Sequence, residues 1–261
     1  MDRGGPRIVR PVTSAVSGVR RRLADRQPCC GVWSLLPGAV TGEVLGRTGA
    51  DFVFLDLQHG ALDERDLPAV TAAVTAAGSV PLVRTRSAHV ADVGRPLDLG
   101  AQGVLVPNVR GADHVREVVA STRYAPAGHR SIGRLSGGAD EPLVLVMIET
   151  AAAWEDLDAV LAVEGLDGVY VGPGDLGLAL GLAAPGDRPR LREVVSAVVA
   201  RAVAAGVPVG VHAYSGVDAA AWAGEGTTIV TATVDVTVLA DGVREQLAAA
   251  RAAGAHREGN P

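Results

Sequence analysis

Eight short runs of almost unbroken apolar residues, at 31–35, 51–56, 80–84, 103–107, 143–148, 168–172, 207–212 and 228–233, recur along the chain. Between them lie Ala-, Leu- and Val-rich stretches of helical length, clearest at 63–77, 88–99, 112–121, 151–163, 191–205, 217–223 and 236–253. A strand that is apolar at successive positions, not at alternate ones, is buried on both faces, as in a parallel sheet covered by helices. Glycines punctuate the helix-to-strand joints at Gly49, Gly78, Gly100, Gly165, Gly206 and Gly226, where a left-handed residue most easily ends a helix. Eight such units predict an α/β fold, a closed (β/α)8 TIM barrel in a single domain, over an open doubly wound sheet. The open sheet would want a G-x-G-x-x-G turn after its first strand, and the chain has Leu35-Leu36-Pro37-Gly38 there. The barrel with its C-terminal helix is expected over 13–253, between a loose extension at 1–12 and a loose tail at 254–261.

Composition narrows the function classes. Of 261 residues, 48% are hydrophobic and 20% charged, which excludes a disordered chain. The 24 basic residues are all arginine and are scattered among 29 acids, giving a net charge of −5 and no basic stripe. With aromatics at 3% there is no stacking platform either, so a nucleic-acid partner is not expected. No apolar run approaches the roughly 20 residues of a membrane helix. The early arginines (Arg3, Arg7, Arg10, Arg20, Arg21 and Arg22) are followed by no apolar segment of the signal-peptide kind. The two cysteines, Cys29 and Cys30, are adjacent and make no long-loop disulfide, consistent with a cytoplasmic protein.

In such a barrel the chemistry sits where strands end and helices begin. Those positions hold Trp33 and Ser34, then Asp56-Leu57-Gln58-His59-Gly60, Arg84, Asn108, Glu149-Thr150, Gly172-Pro173-Gly174-Asp175 and His212. Glu149 and Asp175 end consecutive strands, and a carboxylate pair beside an open rim suits a hard divalent ion such as Mg²⁺ or Mn²⁺. Asp175 taken alone reads equally as a helix N-cap. Asp56 and His59 share one strand end, either as a carboxylate–imidazole dyad or as a capping Asp with a surface His. Arg84 ends an apolar strand and needs an anion. An internal salt bridge to Asp56 and a clamp on a substrate oxygen stand level. Gly172-Pro173-Gly174 is either an anion cradle of backbone N–H groups or a plain turn. Trp33 walls the pocket or fills the core, and His212 and His129 default to structural or surface roles.

Taken in order, Gly31-Val32-Trp33, Asp56 to His59-Gly60, Arg84, the run Arg123-Tyr124-Ala125-Pro126-Ala127-Gly128-His129-Arg130, Ile148-Glu149-Thr150 and Gly172-Pro173-Gly174-Asp175-Leu176 resemble the HpcH/HpaI family of metal-dependent pyruvate aldolases, across residues 31–239. The resemblance implies that Glu149 and Asp175 hold Mg²⁺, Mn²⁺ or Co²⁺. It implies Arg84 on the keto oxygen, His59 paired with Asp56 as acid/base, and the backbone of Gly172, Pro173 and Gly174 on the substrate carboxylate. The reaction implied is cleavage or formation of a 4-hydroxy-2-oxo or 2-keto-3-deoxy acid, with pyruvate and an aldehyde as partners. A homo-oligomer, trimer or hexamer, with 236–253 packed between subunits, is implied as well. The absence of any lysine excludes a Schiff-base route. Three departures from the family pattern stand out: Met147 where a Gln is common, Tyr-Ala-Pro in the Arg123–Arg130 run, and a short 133–143 stretch. Two other readings share the scaffold: a citramalyl- or malyl-CoA-type lyase with Arg130 and Arg134 near the CoA tail, and a 2-keto-acid-binding barrel without turnover.

Overall fold

The computed structural model describes residues 15–133 and 141–255. Eight parallel strands, β1 (Cys29–Ser34), β2 (Phe52–Asp56), β3 (Val80–Arg84), β4 (Gly103–Val106), β5 (Leu143–Ile148), β6 (Gly168–Val171), β7 (Val209–Val211) and β8 (Ile229–Val234), pair in chain order. The pairing of β8 with β1 closes the ring. The fold is the single-domain (β/α)8 barrel expected from the alternation. Around it run α2 (Ala39–Gly46), α3 (Leu67–Ala76), α4 (Val90–Asp98), α5 (Ala112–Thr122), α6 (Ala151–Glu155), α7 (Leu157–Leu161), α8 (Pro173–Ala179), α9 (Arg188–Ala205), α10 (Gly216–Gly224) and α11 (Asp235–Ala255). A further helix, α1 (Ala15–Ala24), precedes the first strand.

Two buried clusters explain why the strands are apolar throughout. Outward residues such as Val53, Leu55, Val83, Val104, Val144, Ile148 and Val169 pack beneath the helices. Inward residues, among them Phe52, Phe54, Leu82, Leu105, Leu145 and Tyr170, fill the barrel interior. The fill is a fit of large against small. A Cβ on Gly31 would lie 2.3 Å from the Phe52 ring, and one on Gly210 would lie 2.6 Å from Tyr170. Helix α1 plugs the N-terminal end of the barrel: Val16, Val19 and Leu23 join the inner cluster. Arg20 ties the plug down through Asp167 (2.8 Å) and the Pro142 carbonyl (2.8 Å).

Several expected boundaries shift. The stretch 151–163 is two short helices because Asp156 leaves the helical pattern and accepts the backbone N–H of Ala112 (2.7 Å). Helix α9 starts at Arg188, and β7 is confined to three residues. Of the cysteines starting β1, Cys29 is buried and Cys30 is exposed. The extension expected at 1–12 and Arg134 lie outside the described residues, as does most of 133–143; α11 runs through the first two positions of the expected tail. No helix among the described residues is long and apolar enough to cross a membrane.

Candidate active site

The C-terminal ends of the strands surround a pocket of about 400 Å³. Its lining includes Trp33, Asp56, His59, Arg84, Met147, Gly172, Pro173, Gly174, Asp175, His212 and Tyr214. Residues at or after seven of the eight strands, all but β4, thus line one cavity.

Asp56 and Arg84 are register partners on β2 and β3. Arg84 Nε donates to Asp56 Oδ1 (2.9 Å), and Nη2 donates to Oδ2. Asp56 also accepts from the Trp33 indole N–H (3.0 Å) and from the backbone N–H groups of Gln58 (2.9 Å) and His59 (3.1 Å). Burial pushes the Asp56 carboxyl up, but the hydrogen bonds and charge of Arg84, with the His59 amide and the Trp33 indole, outweigh it and hold the pKa below the usual carboxylate range. The Arg84 guanidinium lies 4.9 Å from the centre of the Trp33 ring. Its side chain is only 8% exposed, and Nη1 makes no hydrogen bond among the described residues. The internal salt bridge is therefore formed, with one guanidinium nitrogen left for the pocket.

The carboxylate–imidazole dyad is not formed. Asp56 receives the backbone of His59 and gives its charge to Arg84, while the His59 side chain is exposed at the pocket. Trp33 serves both of its expected roles, since it is fully buried against Phe54 and also walls the cavity.

Glu149, at the end of β5, is 2% exposed. Its Oε1 accepts the backbone N–H of Asn108 (2.7 Å), which the left-handed turn at that residue (φ 54°) aims across from β4. Asn is among the few non-glycine residues that take this conformation readily. Thr150 pins the following turn by donating to the Val109 carbonyl (2.7 Å) and capping α6. Glu149 Oε2 is buried with no hydrogen-bond partner among the described residues. Burial pushes the carboxyl up to about 7; the Asn108 N–H and Arg84 pull it down, and Asp175 pushes it further up. Gly172 leaves the space beside the orphan oxygen open, since a Cβ there would stand 2.6 Å from Oε2. Asp175 lies in the first turn of α8, where Gly172 is the N-cap and no side chain caps the helix. The capping alternative for Asp175 is thus replaced by an exposed carboxylate lining the pocket.

A buried carboxylate oxygen without a donor is costly unless a cation meets it. Glu149 and Asp175 therefore fit a hard divalent ion. Among the described residues no group of three or more His, Cys, Asp or Glu gathers into a metal cage.

The sequence reading put His212 on the rim with only a structural or surface role, and it passed over Tyr214 and Asp235, of which the first lines the pocket and the second lies behind it. His212 directly follows β7 at the rim, a position that was itself the signal, and Tyr214 comes two residues later. Asp235 is buried and accepts from Ser34 Oγ (2.9 Å) and the N–H groups of Leu35 and Leu36, so it fixes the loop that carries Leu35 into the pocket. Arg130 is held at the opposite end of the barrel, in the loop after α5, on Asp98 (2.9 Å), so it does not reach this cavity.

The family model for HpcH/HpaI aldolase/citrate lyase matches residues 30–242. The chain belongs to the HpcH/HpaI aldolase/citrate lyase family. As a member of that family it is a carbon–carbon lyase. A hydroxypyruvate/pyruvate aldolase of Rhizorhabdus wittichii is 36% identical over 248 residues, covering 90% of this chain and 98% of the relative. A 5-keto-4-deoxy-D-glucarate aldolase of Salmonella arizonae is 32% identical, over 85% of this chain and 92% of its own. Among solved structures, an HpcH/HpaI aldolase/citrate lyase family protein from Burkholderia cenocepacia superposes with a TM-score of 0.80 at 28% identity, over 90% of this chain and 99% of that one.

Proposed function

We propose that this HpcH/HpaI protein is a divalent-metal-dependent aldolase that cleaves or forms a 4-hydroxy-2-oxo or 2-keto-3-deoxy acid, with pyruvate and an aldehyde as the other partners. The observation that carries this reading is the unpartnered, buried Glu149 Oε2 beside Asp175, in the pocket region that Arg84 also enters. Two relatives support it by their names: one is a hydroxypyruvate/pyruvate aldolase, named for 2-keto acids, and the other a 5-keto-4-deoxy-D-glucarate aldolase, named for a keto-deoxy sugar acid.

Glu149 and Asp175 would hold Mg²⁺, Mn²⁺ or Co²⁺, and the bound ion supplies the Lewis-acid charge that favours an enolate at the keto acid. The chain's own residues do the rest. The backbone of Gly172, Pro173 and Gly174 receives the substrate carboxylate. Arg84, clamped by Asp56 through Nε and Nη2, offers Nη1 to the keto oxygen and stabilises the negative charge that develops there. In the cleavage direction, His59 takes the proton of the C4 hydroxyl at an imidazole nitrogen. The C3–C4 bond then breaks, the aldehyde leaves, and C3 regains a proton to become the methyl of pyruvate. Asp56 acts through Arg84 and is a positioning residue. With no lysine in the chain, no side-chain amine competes as a Schiff-base former.

On the same reading the chain assembles as a homo-oligomer through α11, whose Val238, Leu239, Val243 and Leu247 form an apolar stripe about half exposed. The function is tested by incubating the protein with 4-hydroxy-2-oxo acids and following pyruvate release. Release that stops with EDTA and returns with added Mg²⁺, Mn²⁺ or Co²⁺ is expected. Release indifferent to EDTA, or seen only with CoA esters, would contradict it.

A further inference from the structure

The chemistry proposed above uses the side of the pocket that runs from Asp56 and His59 at the end of β2 round to Asp175 after β6. The remaining wall comes from the ends of β7, β8 and β1 and includes Leu35, His212, Tyr214, Val236 and Thr237. A cavity of about 400 Å³ takes far more than a three-carbon keto acid.

His212 is half-buried in this wall. Its ring stands edge-on to Trp33 (4.9 Å, 84°) and to Tyr214 (4.9 Å, 87°), contacts that fix the plane of the imidazole. Neither ring nitrogen has a hydrogen-bond partner among the described residues. Burial, with the positive charge of Arg84 nearby, pushes its pKa down to about 4, so the ring is neutral at physiological pH. A neutral imidazole carries one N–H donor and one bare acceptor nitrogen. A hydroxyl group, itself donor and acceptor, satisfies such a ring in either tautomer. An alkyl group in its place would leave a desolvated ring nitrogen unpaired.

Resting on the aldolase reading, we propose that His212 determines specificity on the aldehyde side of the pocket: it hydrogen-bonds the hydroxyl next to the carbonyl of a small hydroxyaldehyde and selects it over an alkyl aldehyde of equal size. The selection is by hydrogen bonding. It adds no covalent step to the reaction, and Trp33 and Tyr214 serve it by holding the ring.

The test compares kcat/KM for addition of pyruvate to glycolaldehyde and to propanal, which have the same number of heavy atoms, in wild type, His212→Leu and His212→Gln. Exchange of pyruvate methyl protons in D₂O is followed in all three as a control that needs no aldehyde. The glycolaldehyde-to-propanal ratio is expected to fall about tenfold in His212→Leu, to survive largely in His212→Gln, and to leave proton exchange unchanged. An unchanged ratio in His212→Leu, or an equal fall in His212→Gln, would overturn the assignment. So would loss of exchange in His212→Leu alone, which would put the ring in the enolisation machinery. A shift in the relative use of pyruvate and hydroxypyruvate at a fixed aldehyde would place it on the donor side and overturn it too. Absence of exchange in the wild type with every metal would instead bring down the aldolase reading, and this assignment with it.

Discussion

Glu149 and Asp56 are both buried carboxylates, and their surroundings push them in opposite directions. Asp56 accepts five hydrogen bonds, two of them from Arg84. Replacing it with alanine leaves the Arg84 guanidinium buried and uncompensated, so Asp56→Ala should cost about 3–5 kcal/mol in urea unfolding. A loss below about 1 kcal/mol would show that the pair is not what holds this end of the barrel. Glu149 has one backbone donor and sits near pKa 7, above the ordinary 4.5. A raised folded-state pKa gives stability that is full below pH 4.5 and is lost as pH rises through 7. In EDTA, then, the wild type should lose on the order of 3 kcal/mol relative to Glu149→Gln between pH 4.5 and pH 8, and parallel stabilities would count against it. An ion must displace that proton, so Mn²⁺ affinity measured by calorimetry should weaken roughly tenfold per pH unit below 7. A flat affinity over that range would remove Glu149 from the ligand set. At this scale the sequence could place residues on the rim but could not pair them. Arg84 lies 28 positions from Asp56, and only the β2–β3 register makes them partners. That pairing takes the carboxylate away from the His59 ring, and no local spacing announces it.

The strands were legible because each is buried on both faces, and helices were legible where they cover strands with an apolar stripe. All six glycines expected at helix ends have positive φ, Gly206 closing α9 at 76° among them. Elements whose residues answer to something other than the strands were harder to read. The stretch 151–163 breaks because Asp156 is recruited by the N-terminus of α5. Helix α8 is seven residues opening on Pro-Gly-Asp, a composition that reads as a turn. Helix α1 owes its place to the barrel floor it plugs, and its arginines to the loops they bind. The loop between β1 and α2 owes its path to Asp235, which lies some 200 positions away. Asp235→Ala should therefore free that loop, with faster amide exchange at Leu35 and Leu36 and a stability loss of roughly 1–3 kcal/mol. Unaltered exchange at both amides would mean the loop is held by other contacts.

Across the whole molecule, the inner cluster fills the barrel below the rim and the outer one seats the helices, so the pocket side chains stand on a packed floor of Phe54, Leu145 and Tyr170. The apolar stripe of α11 has no such cover, because that helix touches the barrel chiefly near the ends of β1 and β8. If subunits meet there, Leu239→Asp with Val243→Asp should convert an oligomer to monomer in sedimentation; an unchanged distribution would place the contact elsewhere. The proposed reaction, in turn, requires that pyruvate be enolised in the pocket whether or not an aldehyde is present. Exchange of the pyruvate methyl protons in D₂O, read by NMR after EDTA treatment and after adding back Mg²⁺, Mn²⁺ or Co²⁺, tests this most directly. Exchange that depends on the added ion and vanishes in Glu149→Gln is the predicted result. No exchange with any of the three ions, or exchange that EDTA leaves untouched, would contradict it.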